Sequence, residues 1–387
     1  MLIVSTIAQA ASSAAQNGPA FLIPTLHHGG LSLAQAGLIA GAPIAGTMCT
    51  LVAWGALVDR IGERFVIIAS LLASTLGLGV AFLVSGHHIA LAITLFLTGA
   101  GSAGTAAASG RIVVGWFPPD RRGMVMGIRQ ISQPVGVAFA SLTIPVLAQG
   151  HGVGLALLAP TALGAVSAIA CFLTVVDPPR PERTAAHVVA NPYRSDSYLA
   201  RIHLASALLV IPQFTVWSYM LVWLQIDRHW AAGGAGLLVA VAQLLGSLGR
   251  IGAGQLSDMV SSRLRPLRWI AVLAAATMAA LGLAMGTRVW VAVPLIVLAS
   301  VVTVADNGLA FTATAERAGP WWSGRALGVQ NTGQYLTAAA VPPVVGSAIT
   351  AVGYGATFGL TAAFPLLALA ILPLADCHDV PLGAKKS

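Results

Sequence analysis

The chain is 387 residues long and carries 20 Lys+Arg and 12 Asp+Glu, so 8% of it is charged, against roughly 25% in an ordinary soluble protein. With 57% hydrophobic residues and a mean hydropathy of +0.84, that scarcity excludes a soluble chain of this size and a disordered one. Three cysteines, Cys49, Cys171 and Cys377, exclude a disulfide scaffold. A polytopic membrane protein remains.

A helix needs about 20 apolar residues to cross about 30 Å of hydrocarbon. Twelve such stretches follow one another, at 2–26, 33–57, 65–85, 88–114, 123–148, 153–176, 200–225, 234–257, 267–286, 289–313, 325–350 and 354–375. They are spans 1 to 12. Short connections with turn residues join most of them, such as His27-His28-Gly29-Gly30. Ala8-Gln9-Ala10 has the small residues of a signal cleavage site, but no basic region precedes it, and the segment reads as span 1. The polar, Pro-containing stretch 177–199 falls almost at the midpoint. The expected organisation is all-α: a six-helix bundle over 1–176, a cytoplasmic linker over 177–199, a second six-helix bundle over 200–376 and a tail over 377–387.

The basic residues orient these spans. With the N-terminus in the cytoplasm, fifteen Lys and Arg fall on the inner side, among them Arg60, Arg64, Arg121, Arg122, Arg180, Arg263, Arg265, Arg268 and Lys385. Arg228 and Arg288 fall outside, while Arg111, Arg129 and Arg250 lie within spans. Such an excess predicts both termini in the cytoplasm, in a bacterial-type cytoplasmic membrane. The cations stand singly or in twos and threes, so they form no basic face for nucleic acid.

The chain also repeats itself. Gly55-Ala56-Leu57-Val58-Asp59 follows span 2, and Gly254-Gln255-Leu256-Ser257-Asp258 follows span 8, 199 residues later. Gly123-Met124-Val125-Met126-Gly127 opens span 5, and Gly324-Arg325-Ala326-Leu327-Gly328 opens span 11, offset by 201, as are Gln133 and Gln334. Two unlinked matches at nearly one offset argue for two homologous halves in the same orientation.

The stretch Gly55-Ala56-Leu57-Val58-Asp59-Arg60-Ile61-Gly62-Glu63-Arg64 resembles the signature G-x-L-x-D-R-x-G-R-[KR] of the major facilitator superfamily, in its loop between helices 2 and 3. Glu63 stands where that signature has a basic residue. The second copy keeps Gly254, Asp258 and Arg263 but has Met259 and Ser261 in place of Arg and Gly, which points to a second gate that relies less on charge. The resemblance implies two six-helix bundles related by a pseudo-twofold axis, a cytoplasmic latch at each motif copy and a cavity lined by helices 1, 4, 7 and 10. In physical terms, Gly55 permits a close helix approach and Gly62 a tight turn, while Asp59 offers a breakable polar contact. The latch residues are thus Gly55, Asp59, Arg60, Gly62, Arg64, Gly254, Asp258 and Arg263. A topogenic turn is the plainer reading of the same residues.

Ionisable groups inside spans cost at least ~2.5–3.5 kcal/mol at a helix centre and need a reason. Asp306, followed by Asn307 in span 10, suits a proton or cation site, or a structural partner for an Arg or Asn. Arg129, beside Gln130 and Gln133 in span 5, suits an anion held in a bidentate fork, or a side chain snorkelling to the interface. Arg111 reads as an inner-face contact and Arg250, two turns before Asp258, as part of the latch region. By resemblance, Gln16, Asn17, Gln213, Trp217, Tyr219, Asp306 and Asn307 line the cavity, with Arg129, Gln133, Asn331 and Gln334 on flanking helices. The run Gly99-Ala100-Gly101-Ser102-Ala103-Gly104 lets helices pack closely. It is no phosphate loop, since no strand precedes it and no Lys follows.

No Ser-His-Asp, Cys-His or HExxH arrangement appears, so no enzymatic activity, cofactor or metal is expected. The leading expectation is a monomeric secondary active transporter for a small organic solute, with Arg129 favouring an anion and Asp306 favouring coupling to protons. A proton-coupled exporter of lipophilic compounds is the alternative. It is weakened because Leu95 stands about where such exporters carry Arg, and Gln133-Pro134-Val135-Gly136 replaces their G-P-x-x-G-G. A non-transporting sensor or assembly factor is the reading from another class.

Overall fold

A computed structural model describes residues 2–116, 131–177, 191–286, 289–318 and 322–376, with the backbone alone at residues 2, 59, 109–116, 289, 323 and 324. Arg129 and the motif Gly123–Gly127 lie outside the described residues, as do the side chains of Asp59 and Arg111. The described chain is helical, without strands. In order it forms α1 (Leu2–Asn17), α2 (Ile23–His28), α3 (Leu33–Ile61), α4 (Glu63–Leu83), α5 (His88–Trp116), α6 (Ser132–Thr174) and α7 (Tyr198–Val222). Then follow α8 (Ala232–Met259), α9 (Leu264–Met285), α10 (Val289–Val302), α11 (Asp306–Ala318), α12 (Ser323–Leu360) and α13 (Ala363–Ile371).

Among the described residues nine helical stretches are long and apolar enough to cross a membrane. Two of them hold more than one span. Ser132–Thr174 turns at Gly152 (φ 83°, ψ 173°) and Arg325–Leu360 turns at Gly353 (φ 82°, ψ 170°), non-helical angles inside what is otherwise one helix. These glycines are 201 residues apart and take nearly identical left-handed angles, which favour glycine because no Cβ is present. With α1 and α2, joined by the 3-10 turn Gly18–Leu22, acting as span 1, the twelve spans are accounted for.

Local chemistry explains the boundaries. Ser32 caps α3 by accepting from Gln35 N at 3.2 Å, and Gln35 Oε1 accepts from Ser32 N at 2.9 Å, a reciprocal capping box. The helix then runs to Ile61 and stops at Gly62, whose φ is 103°. Asp59 and Arg60 therefore sit on the last helical turn, not in a loop as the motif implied. The same holds for Asp258 in α8, and Ser261 takes φ 49° where the first copy has Gly62.

Contact density divides the chain into two compact units. The first comprises Met1–Pro181, Trp217–Leu244 and Ala339–Thr350. Its buried core includes Ala11, Val58, Val66, Ile67, Leu71, Ala168 and Cys171. The glycine run of α5 sits against α3 and α4 as expected: a Cβ on Gly99 would collide with the Pro43 carbonyl, and one on Gly46 with the Phe96 carbonyl. The exposed polar cost of this close packing is met by side chains. Thr47 Oγ1 donates to Gly99 O at 3.0 Å, Trp54 Nε1 to Ala100 O at 2.7 Å and Ser70 Oγ to Gly101 O at 2.6 Å. Gly55 differs from expectation. A Cβ there would meet nothing within 4 Å among the described residues, because this stretch of α3 faces outward, with Val52 73% exposed.

The second unit comprises Glu182–Val216, Leu245–Ala338 and Ala351–Ser387. Its core gathers Ile202, Leu209, Leu267, Ala271, Leu309 and Ala313 from α7, α9 and α11. Here span 10, expected as one helix, is interrupted between α10 and α11. Thr303 Oγ1 takes the Ala299 carbonyl at 2.7 Å, and Ala305 N reaches Val302 O at 3.2 Å, a three-residue step. A hydroxyl competing for a backbone acceptor and a tightened turn both loosen the i to i−4 ladder.

Candidate functional site

Both adjacent polar pairs singled out in the sequence flank interruptions of their helices. In the first unit Gln16 and Asn17 end α1, before the 3-10 turn with Pro19. In the second, Asp306 and Asn307 begin α11, after the break in span 10. Helix interruptions free backbone groups, which in a membrane are tolerated only where protein or a polar cavity satisfies them.

In the first unit Gln16 Nε2 donates to Ser102 Oγ at 2.7 Å, and Ser12 Oγ donates to Ser102 O at 2.9 Å. Asn17 Nδ2 donates to Ser13 O at 3.1 Å, and Ser13 Oγ to the backbone carbonyl of Gln133 at 2.9 Å. These groups belong to spans 1, 4 and 5. Ser12, Ser13 and Ser102 were missed by sequence reasoning, because serines inside small-residue runs look like packing surface. Among the described residues Gln133 joins through its carbonyl.

In the second unit Asn307 Nδ2 donates to Gln213 Oε1 at 3.0 Å, and Gln334 Nε2 donates to Asn307 Oδ1 at 3.3 Å. This layer joins spans 7, 10 and 11, which correspond to spans 1, 4 and 5 of the first half. About 10 Å along, at seven-residue spacing on α7 and α11, lies a second layer: Thr314 Oγ1 donates to Gln330 Oε1 at 2.6 Å, and Gln330 Nε2 to Ser206 Oγ at 3.0 Å. It is fully buried, whereas Asn307 and Gln334 are half-buried. The two-turn spacing of Asn307 and Thr314 was its signal in the sequence. Asn331 stays outside both layers, with Nδ2 on its own helix at Leu327 O.

Asp306 is only 2% exposed. Its carboxylate rests on the backbone N–H groups of residues 306 and 307 at the start of α11, and Oδ2 has no hydrogen-bond partner among the described residues. Arg250 on α8 acts on it electrostatically, with no ion pair inside 4 Å between them among the described residues. The placement of Arg250 in the latch region is thus corrected: Asp258 pairs with Arg263 instead.

Trp217 and Tyr219 belong to the first unit and are buried. The Tyr219 hydroxyl donates to Pro342 O and lies 3.4 Å from Leu33 O. Around it backbones touch: a Cβ on Gly37 would meet the Pro342 carbonyl, and one on Gly346 the Leu33 carbonyl and the Tyr219 hydroxyl. Tyr219 is therefore spent on a seam between α3, α7 and α12.

At the motif copies, Arg64 N donates to Asp177 Oδ1 at 2.7 Å and its guanidinium to Phe172 O at 2.8 Å. Glu63 is buried and Arg60 exposed. The expectation of a second copy less dependent on charge is corrected. Arg263 pairs with Asp258 at 2.5 Å and Glu316 at 3.2 Å, and Asp376 holds its backbone N–H at 2.9 Å. Met259 and Ser261 carry no charge, but Glu316 and Asp376, remote in sequence, add two carboxylates around Arg263. A Cβ on Gly254, as on Gly55, would meet nothing within 4 Å among the described residues.

Comparison with known proteins places this geometry in context. The family model described as Major Facilitator Superfamily matches residues 5–342. The chain is 46% identical over 379 residues to an "Uncharacterized MFS-type transporter" of Mycobacterium tuberculosis, covering 97% of this chain and 84% of that one. It is 28% identical over 370 residues to the "Probable nitrate/nitrite transporter NarK2" of the same organism, covering 92% and 89%. A bacterial homologue of the human lysosomal transporter Spinster, solved in an inward-facing and occupied conformation, superposes with a TM-score of 0.79 at 16% identity, over 96% of this chain and 95% of that one.

Proposed function

Because the chain belongs to the major facilitator superfamily and is a membrane-embedded transporter rather than an enzyme, we propose that it is a secondary active transporter that carries a small organic anion together with protons. The observation that carries this reading is the pairing of Gln16-Asn17 and Asp306-Asn307 with helix interruptions in spans 1 and 10. Discontinuous helices at mid-membrane expose backbone dipoles and polar side chains to a solute while the rest of each span stays satisfied. Gln213, Asn307 and Gln334 in the second unit, and Gln16 and Asn17 in the first, supply neutral hydrogen-bonding groups. Arg129, Gln133 and Asn331 extend this set. Arg129 supplies positive charge, and the nitrate/nitrite name of one relative supports an anion as cargo.

In this reading residues 1–176 and 200–376 act as two bundles joined by the linker 177–199, with both termini in the cytoplasm of a bacterial-type cell. The motif residues Asp59, Arg60, Gly62, Arg64, Asp258 and Arg263 hold the inner ends, and the seam around Tyr219 holds the outer ends. Asp306 takes the proton. The protein works as a monomer, with no cofactor, metal or nucleic acid. Reconstituted protein given an inward-directed pH gradient should accumulate an organic anion found by a thermal-shift screen. A protein that binds carboxylates no better than sugars or amines, and accumulates none of them, would refute the reading.

A further inference from the structure

In the second unit two arginines converge on the end of α13. Arg201, in the first turn of α7, donates from Nε to Ile371 O at 2.6 Å and from Nη2 to Leu372 O at 3.0 Å. Arg268, in the second turn of α9, donates from Nη2 to Pro373 O. Three successive carbonyls thus hold two guanidiniums side by side. A carbonyl is a dipole and leaves the net charge of each cation in place. Among the described residues no carboxylate lies within 4 Å of Arg201, Arg265 or Arg268. Asp376, three residues past Pro373, is engaged by the Ser262 hydroxyl and the N–H groups of Arg263 and Leu264. Three cations against that one acid leave the cluster positive. The cationic end runs into an apolar stripe. Arg265, Arg268 and Trp269 share one face of α9 at i, i+3 and i+4, and Val272 and Leu273 continue it. Arg265 is exposed, Trp269 is 52% exposed and Val272 and Leu273 are each 49% exposed. The opposite face packs Leu267, Ala271 and Ala274 into the core. The fold does not demand these arginines: 199 residues earlier stand Leu2, Val66 and Ala69, and the first half builds its spans without them.

We propose that Arg201, Arg265 and Arg268 form a binding site for one anionic phospholipid, held where spans 7 and 9 begin and span 12 ends. The lipid phosphodiester is the counter-ion that the cluster lacks. The N–H groups of Arg201 and Arg268 not engaged by carbonyls donate to its oxygens in charge-assisted contacts, and Arg265 adds a third cation at the water side. Trp269, one turn further along α9, takes the interfacial depth that amphipathic rings favour. An acyl chain then lies along Val272 and Leu273. A soluble anion satisfies the guanidiniums and leaves the stripe uncovered, whereas a phospholipid matches the charged end and the apolar face together. Lipid coats this face in any membrane, and the arginines select which lipid, as basic pockets between spans do. The orientation proposed above makes this the inner leaflet.

Full-length protein in phosphatidylcholine nanodiscs tests this, with a small fraction of the lipid replaced by brominated phosphatidylglycerol or, in a parallel series, brominated phosphatidylcholine. The difference in fluorescence between wild type and Trp269→Phe isolates the quenching of Trp269. Brominated phosphatidylglycerol should quench Trp269 at about tenfold lower mole fraction than brominated phosphatidylcholine. Arg201→Gln/Arg268→Gln should abolish that preference. These two side chains also hold the end of α13, so the exposed Arg265→Gln serves as a second variant with the fold intact. It should lose about fivefold of the preference, the share of one surface cation. Equal quenching by the two brominated lipids in the wild type would overturn the lipid site, as would an undiminished preference in Arg265→Gln. Inorganic phosphate at millimolar concentration should leave the quenching by phosphatidylglycerol unchanged. Its relief by phosphate at matched ionic strength would assign the cluster to a soluble anion and overturn the proposal. The readout needs neither solute nor proton gradient, so the lipid site and the transport reading fail separately.

Discussion

Asp376 Oδ1 lies 2.9 Å from the backbone nitrogen of Arg263 and closes the start of α9, and 199 residues earlier Asp177 Oδ1 lies 2.7 Å from the backbone nitrogen of Arg64 at the start of α4. The carbonyls of Phe172 and Ile371, also 199 apart, each accept from a guanidinium, of Arg64 at 2.8 Å and Arg201 at 2.6 Å. Each half therefore ties the start of its third span to the end of its sixth by the same carboxylate-to-backbone contact. A carboxylate at a helix start satisfies orphan N–H groups and meets the positive end of the dipole.

Asp376 also accepts from Leu264 N at 3.0 Å and from the Ser262 hydroxyl, whereas Asp177 accepts the Arg64 N–H. Replacing a capping side chain by Ala costs about 0.5–2 kcal/mol. Asp376→Ala should lower the thermal midpoint more than Asp177→Ala, and Asp376→Asn should restore most of the loss. Equal effects of the two Ala variants would contradict the asymmetry.

Gly62 and Ser261 occupy equivalent turns, with φ 103° and 49°. A non-glycine residue in the left-handed region costs about 1 kcal/mol or more. Ser261→Gly should therefore raise stability, by about 0.5–1 kcal/mol, and Gly62→Ser should lower it by more, as read from unfolding midpoints. Destabilisation by both would show that the Ser261 side chain holds the turn.

The two polar layers of the second unit should respond differently. Gln330→Leu strands the buried Thr314 and Ser206 hydroxyls and should cost about 1–3 kcal/mol, with ligand affinity of the folded fraction unchanged. Gln213→Leu should weaken ligand binding by more than it lowers the thermal midpoint. The reverse pattern would move the candidate site to the sealed layer.

Tyr219→Phe removes a hydroxyl from a closed seam. It should cost about 1 kcal/mol of stability and leave the order of ligand affinities unchanged in a thermal-shift series. A changed order would return Tyr219 to the cavity lining.

The spans were legible because each buries apolar residues over a bilayer's thickness, and the repeat was legible because Gly55–Asp59 and Gly254–Asp258 kept their letters. What escaped depends on contacts between distant residues. Thr303-Val304-Ala305 contains neither Gly nor Pro, so nothing local announced the break that places Asp306 at a helix start. Asp177 looked like the first residue of the linker and Asp376 like the last of the second bundle until the fold brought them to Arg64 and Arg263. Arg250 was misplaced because its neighbour along the chain, Asp258, is committed to Arg263, while its electrostatic partner Asp306 lies 56 residues away. Gln213, Asn307 and Gln334 were each identifiable as polar residues inside spans; their joining into one layer was not.

The most direct measurement is uptake of the identified anion by proteoliposomes under an imposed inward pH gradient, wild type against Asp306→Asn. The wild type should accumulate the anion against its concentration gradient, and Asp306→Asn should only equilibrate it, with its fold and binding retained. Uphill accumulation by Asp306→Asn at the wild-type level would contradict the account.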